Sequence, residues 1–353
     1  MRPMRPSFVD QLRCPVTQEP LKLEIIERQK KNYEDGEADE IHSALIHSPS
    51  GLIYPIINGV PRMLVESFLD YEEFVSQHIP DYPSRKRAIL RNYGPLVEKC
   101  RKKNLGTKKS FAFEWKLFKY NEDKTWHWDK PTRKLRFLNE VEETEATLGG
   151  KEILDAGCGN GVLTTAMAEL GAHAIGMDLS NSIERAHRFN TNRNADFVQG
   201  DLQIPPLRHE QFDIVYATGV IHHTNNTELA FSCLHELVRR SGKYYVWIYH
   251  PVSDAMPKFY TWARKYTHRL PLRVQYWFYL IFLIPPSAII KGLRGSGHNV
   301  REQMVDIFDG LSPEFRHEHT PDELASWFLK RNYYPPRISV VDYLGFGGYA
   351  IKK

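Results

Sequence analysis

The stretch Glu152-Ile153-Leu154-Asp155-Ala156-Gly157-Cys158-Gly159-Asn160-Gly161 constrains the chain more than any other. A short apolar run ends in an acidic residue and breaks into a turn with glycine at alternate positions. Val162 to Leu170 follow with helical spacing, and Gly171 stands where a left-handed helix stop belongs. Strand, glycine turn and helix in that order place a nucleotide-like cofactor against backbone in an open α/β sheet. The dinucleotide fingerprint needs Gly-x-Gly-x-x-Gly, with a pyrophosphate on the N–H groups of the helix start. Here Val162 stands where the third glycine of that pattern falls. Asp155, at the strand end, would repel a pyrophosphate and attract a cation.

The following segments repeat the theme. His173 to Met177 reads as a second apolar strand and ends at Asp178, and Ala195 to Gln199 as a third, followed by Gly200-Asp201-Leu202. Phe212 to Thr218 reads as a fourth, running into Gly219-Val220-Ile221-His222-His223. Four strand ends in order, three of them acidic, resemble the class I S-adenosylmethionine-dependent methyltransferases of small molecules, over roughly residues 136–250 and 311–353. The resemblance implies an α/β fold with a doubly wound, seven-stranded Rossmann-like sheet. Thr320-Pro321-Asp322-Glu323 is a capping box that opens the last helix. Arg337 to Tyr343 and Gly348 to Lys352 would then be the closing strands, one of them antiparallel.

What the resemblance implies for the donor can be placed residue by residue. Asp155 with Gly157, Gly159 and Gly161 would hold the methionine end of S-adenosylmethionine. Asp178 and Leu179 would take the ribose, with the Asp178 carboxylate accepting both hydroxyls. Asp201 would accept from the adenine amino group, Leu202 would pack on the ring, and Thr218 closes the set at the end of the fourth strand. The product would be S-adenosylhomocysteine, and no metal is expected.

Composition narrows the rest. A net charge of +4 over 353 residues does not argue for a nucleic-acid partner. Cys14, Cys100, Cys158 and Cys233 show no CxxC spacing, which suits a reducing compartment. Met1-Arg2-Pro3-Met4-Arg5-Pro6 has no apolar core after its charges, so it does not read as a secretory signal, and the expectation is cytoplasmic. Oligomeric state stays open.

Five segments are expected. Residues 1–66 resemble the small zinc-ribbon-like domain that partners and activates methyltransferases, on Cys14-Pro15 and Gly51-Leu52-Ile53-Tyr54-Pro55-Ile56-Ile57-Asn58-Gly59-Val60-Pro61. A structural zinc needs four ligands in two close pairs. Thr17, His47 and Ser50 fall where three of the cysteines would be, so a metal-free α+β version is expected, with Arg28 to Glu40 as a loop. Residues 67–135 suggest a linker, then helices and an aromatic lid over the donor, built from Ser110-Phe111-Ala112-Phe113-Glu114-Trp115 with Trp126 and Trp128. Residues 136–250 are the core, 251–310 a helical cap insertion, and 311–353 the last helix and strands.

Within the insertion, Val274 to Ile290 is nearly all apolar and is flanked by Arg264, Lys265, Arg269, Arg273, Lys291 and Arg294. As a helix it falls short of the roughly 20 residues that span a bilayer, and Pro285-Pro286 should break it. A cap packed on the core is the favoured reading. Contact with a membrane surface or a lipophilic substrate is the other.

In a doubly wound sheet the acceptor pocket lies at the carboxyl ends of the fourth and fifth strands. That selects His222, with His223 beside it, and Tyr249 and His250, with His317 and His319 as further candidates. His222 is the expected substrate-side residue, since histidine titrates near neutral pH and can take the acceptor's proton. An aromatic or lipophilic small molecule, methylated on oxygen or carbon, is the expected partner. A tRNA- or protein-directed methyltransferase is the alternative within enzymes. Base-directed chemistry would want Asn/Asp-Pro-Pro-aromatic where Ala217-Thr218-Gly219-Val220 stands. A non-catalytic scaffold is the alternative outside them, opposed by the retained acids and glycines. A short-chain dehydrogenase fails on glycine spacing.

Overall fold

The computed structural model describes residues 6–117, 129–252, 255–293 and 299–353. Its first sheet is antiparallel, with strands β1 (Lys22–Tyr33), β2 (Gly36–His47), β3 (Ile53–Ile57) and β4 (Val60–Pro61) in sequential order. The expected loop from Arg28 to Glu40 is instead the outer half of the β1–β2 hairpin, paired through to Tyr33↔Gly36. Both faces there are polar, so no alternation marks it; tertiary contacts hold it. The Lys31 ammonium donates to the His187 carbonyl at 2.6 Å, the Glu34 N–H to the Thr191 carbonyl at 3.0 Å, and Arg193 to the Glu37 carbonyl at 3.0 Å. At the base of the unit, the Cys14 thiol is buried 3.4 Å from the Tyr54 hydroxyl and 3.9 Å from that of Ser50. Among the described residues, no His, Cys, Asp and Glu side chains form a group that could hold a metal ion.

The second sheet has seven strands: β5 (Glu152–Ala156), β6 (His173–Asp178), β7 (Ala195–Gln199), β8 (Phe212–Thr218), β9 (Val238–Tyr249), β10 (Arg337–Val341) and β11 (Gly345–Ile351). Their order is β10-β11-β9-β8-β5-β6-β7. β5 to β9 run parallel, while β11 is antiparallel to both β9 and β10. The parallel strands are buried on both faces, which is why they read as apolar runs. Winding reverses between β5 and β8, so the carboxyl ends of these two strands bound a crevice. This is the doubly wound α/β fold expected from the four strand ends.

The two sheets are stitched at β7. Arg62 bridges in parallel to Gln199, and the Met63 N–H donates to the Gln199 carbonyl at 2.9 Å. Arg62 is fully buried, ion-paired with Glu184 and set 5.2 Å over the Tyr71 ring.

Where a linker and then helices were expected, residues 67–117 hold helices Ser67–Asp70, Glu72–His78 and the 36-residue Tyr82–Leu117. Pro83, its second residue, needs no helical N–H partner, and Pro95 is carried inside. Trp126 and Trp128 lie outside the described residues. The cap consists of Ala255–Thr267, then Leu272–Phe278 continuing through a π-helical turn, Tyr279–Leu283, into Ile284–Leu293, and then Val300–Leu311. Pro285-Pro286 therefore does not break the helix. The two prolines follow a widened turn, where the hydrogen-bond ladder is already displaced by one residue. Tyr279, Ile284, Met304, Ile307, Phe308 and Leu311 form the cap's core, with Phe113 of the long helix packed against it. No described helix is long and apolar enough to cross a membrane. At the last helix, Pro321–Lys330, Thr320 and Glu323 each bond the other's backbone N–H, as their spacing predicts.

Candidate active site

The glycine turn after β5 is set by both conformation and space. Gly157, Gly159 and Gly161 have φ of +77°, +55° and +73°, the left-handed region that side chains resist. A Cβ at Gly157 would lie 2.2 Å from Val220 Cγ2, and one at Gly159 would lie 2.5 Å from the Trp115 indole. Gly157 lines the crevice, while Gly159 and Gly161 face Trp115 and the helix Ser182–Phe189.

Asp155 stands at the mouth of this turn and is 3% exposed. Burial raises its pKa to about 6, opposed by the Thr164 hydroxyl, which donates at 2.6 Å, and by the Arg133 guanidinium. Asp178 also lines the crevice. Its Oδ1 accepts the Ser180 N–H and hydroxyl, both at 2.7 Å, and its Oδ2 accepts the Gly159 N–H at 3.0 Å. Oδ2 alone keeps clear acceptor capacity, enough for one ribose hydroxyl rather than the expected two. Asp201 Oδ1 accepts the Gln203 N–H at 2.9 Å, and Oδ2 pairs with Lys103 of the long helix. Leu179, Leu202 and Thr218 complete that side of the crevice.

The crevice continues as one cavity under the end of the long helix. Phe111, Glu114, Trp115, Arg133, His223 and Asp309 line this further part. Glu114 is fully buried, and neither carboxyl oxygen has a hydrogen-bond partner. Burial, then Asp309, Asp306 and Asp178, push its pKa well above the usual carboxylate value, which favours the protonated form. Asp155, Asp178, Asp201 and Asp309 face Arg133 as the cavity's only lining Arg or Lys among the described residues. Such a surface fits a ligand carrying sulfonium and ammonium charge and does not fit a diphosphate.

The histidines fall differently from expectation. His222 is fully buried, outside the cavity lining, with its ring 4.4 Å from those of His223 and Tyr249. Neither of its ring nitrogens has a partner, and burial holds its pKa well below the usual histidine value. It is a core residue here. His223, not His222, lines the cavity. Its Nδ1 lies 2.9 Å from the Phe315 carbonyl, which can only accept, so that nitrogen carries the proton. Its Nε2 is left as acceptor, 3.7 Å from Asp309. Burial lowers its pKa, opposed by Asp309, and so favours the neutral ring. Tyr249 also stands behind the cavity, donating to Asp309 at 2.8 Å. His250 turns away, with its ring nitrogens near the carbonyls of Pro251 and Asp342. His317 and His319 do not line the cavity; their backbone N–H groups bond the carbonyls of His222 and Tyr249.

Sequence reasoning missed Arg133 and Asp309 and named Glu114 only as part of a lid. A carboxyl set between Phe113 and Trp115 on a helix was the one available signal.

Comparison with known proteins is consistent with this geometry. Residues 154–246 match the family described as "Methyltransferase domain". A ubiquinone biosynthesis O-methyltransferase of Aromatoleum aromaticum is 30% identical over 138 residues, 36% of this chain and 58% of that protein. One from Thiobacillus denitrificans is 26% identical over 209 residues, 55% of this chain and 88% of that protein. The Thiobacillus protein apart, the chain spans little more than half the length of the curated relatives it matches. The magnesium protoporphyrin IX methyltransferase of Synechocystis PCC 6803, solved with bound SAH, aligns with 71% of this chain and 100% of its own at 14% identity and TM-score 0.43. The fold assignment rests on the strand order instead. Residues 154–246 thus match a methyltransferase domain, set between an N-terminal sheet and a helical cap.

Proposed function

We propose that the chain methylates a hydroxyl group on a small, largely apolar molecule, with S-adenosylmethionine as donor. The observation that carries this reading is the continuity of the acid-lined crevice with a chamber holding Phe111, Trp115, Glu114 and the unpartnered Nε2 of His223. The names of the curated relatives support oxygen over carbon.

When bound, S-adenosylmethionine supplies an electrophilic methyl on a sulfonium. Asp155 would hold its ammonium, Oδ2 of Asp178 one ribose hydroxyl, and Asp201 with Leu202 the adenine. Phe111 and Trp115 would exclude water and hold the acceptor's apolar body. The protonated Glu114 would donate to an acceptor oxygen and so orient it. His223 Nε2 would take the hydroxyl proton, and the neighbouring Asp309 would stabilise the imidazolium that results. Bringing the oxygen within about 3–3.5 Å of the methyl is the larger part of the rate gain.

Titration calorimetry with S-adenosylmethionine, followed by transfer of labelled methyl to a panel of phenols, catechols, tRNA and peptides, tests the reading. Donor binding that Asp178→Ala weakens at least about tenfold, or about 1.4 kcal/mol, is expected. Absence of donor binding would make the chain a scaffold, and label in tRNA or peptide alone would move the acceptor class.

A further inference from the structure

The outer surface of the cap is not used by the site. On Ala255–Thr267, Phe259, Trp262 and Tyr266 face solvent at helical spacing, and their rings touch in sequence, 6.0 Å and 5.5 Å apart. On the run from Leu272 to Leu293, Val274, Trp277, Phe278, Ile281, Phe282 and Ile289 lie exposed along one face. Trp262, Trp277 and Phe282 are each more than half exposed, at 57%, 60% and 61%. Single exposed apolar residues need no explanation, but stripes on two consecutive helices joined by residues 268–271 do.

Charge says what could cover them. From Ala255 to Arg301 the sequence contains no aspartate or glutamate, while Lys258, Lys265 and Arg273 on the same helices and Arg269 in their connection are exposed. A symmetric pairing of two copies through this face would set like charges together. An aromatic face edged with basic residues is instead the composition of helices that lie in an anionic lipid interface. We propose that the cap docks this chain on the surface of an anionic membrane, with Trp262, Trp277 and Phe282 entering the headgroup region and Lys265, Arg269 and Arg273 meeting lipid phosphates. The inner face of the same helices packs on Phe113, within the lid segment that covers the crevice, so a docked chain would hold its cavity close to lipid-dissolved acceptors. The inference stands whether or not the proposed activity does.

Co-sedimentation of the full chain with vesicles of phosphatidylcholine, with and without about 30 mol% phosphatidylglycerol, tests it. Binding to the anionic vesicles alone is expected, weakened by about 0.5 M salt. The triple change Trp262→Ser, Trp277→Ser, Phe282→Ser should reduce it at least about tenfold. A second variant, Lys265→Glu, Arg269→Glu, Arg273→Glu, should do the same, and it serves as the check if the first does not fold. No sedimentation with anionic vesicles, equal binding to neutral ones, or full binding by both variants would overturn the proposal. So would a dimer in sedimentation velocity that the aromatic substitutions dissociate, since the face would then be a self-interface.

Discussion

The Tyr249 hydroxyl donates to the Asp309 carboxylate at 2.8 Å, tying the end of β9 to the cap helix Val300–Leu311. This bond fixes the carboxylate that faces His223 and Glu114. Removing it with Tyr249→Phe should cost about 1.5–3 kcal/mol of stability, the range for hydrogen bonds to charged groups. Donor affinity should be unchanged while the KM for acceptor rises. Denaturant melts and calorimetry read the two effects separately, and a loss of donor affinity would place Tyr249 elsewhere in the reaction.

Asp155, proposed to hold the donor's ammonium, should make donor binding depend on pH. Its pKa of about 6 exceeds the unfolded value of about 3.9, so between these limits the folded state holds a proton that the unfolded chain has released. This residue therefore lowers stability as pH rises through that window, by about 3 kcal/mol in all, and its effect is constant above it. A cationic donor needs the carboxylate, so binding at pH 5 should be about tenfold weaker than at pH 7.5. In Asp155→Asn the difference should vanish and the affinity should be low throughout. Calorimetry at the two values decides it; a flat profile for the native chain would remove Asp155 from the ammonium's partners.

Glu114 is costly to the fold as it stands, a buried carboxyl with no partner. Glu114→Leu should raise stability by about 1–3 kcal/mol, the desolvation cost of an unsatisfied buried polar group, and should abolish most turnover. Glu114→Gln keeps a neutral donor at the site and should restore part of the rate. Thermal melts beside turnover with the identified acceptor show the trade; equal turnover in all three proteins would leave Glu114 without a role.

The two adjacent histidines should separate cleanly. His223→Ala should lower kcat with little change in donor affinity, and the pH profile should lose its lower limb, because that limb reports protonation of the base. His222→Phe should leave kcat near native, since neither ring nitrogen has a partner to lose. Turnover measured across pH for both variants distinguishes them, and the reverse pattern would restore His222 to the acceptor side.

How much of this was legible in the sequence follows from the range of the forces involved. The β5 turn is a local feature: alternate glycines after an apolar run have few other uses, and Asp155, Asp178 and Asp201 all reach the crevice. His222 and His223 could not be told apart, because both sit in the 3-10 turn Ile221–His223, where successive side chains point about 120° apart. The β1–β2 hairpin was hidden because its outer half is polar on both faces and is held by Thr191 and Arg193, far along the chain. Arg133 and Asp309 reach the cavity from helices on either side of the core sequence, so only the folded chain brings them to β5.

The pairing of Arg62 and Met63 with Gln199 carries a consequence for how this protein can be dissected. β7 is the last strand on its side of the seven-stranded sheet, and that short segment is what shields its rim. A chain trimmed at residue 66 would keep every side chain proposed to bind the donor yet bare a row of unpaired amides and carbonyls, an open invitation to strand-to-strand stacking between molecules. It would also strip Glu184 of its buried counter-ion. The leading segment is thus a guard rail for the seven-stranded sheet, and the part that looks most detachable is the part that keeps the rest from sticking to itself.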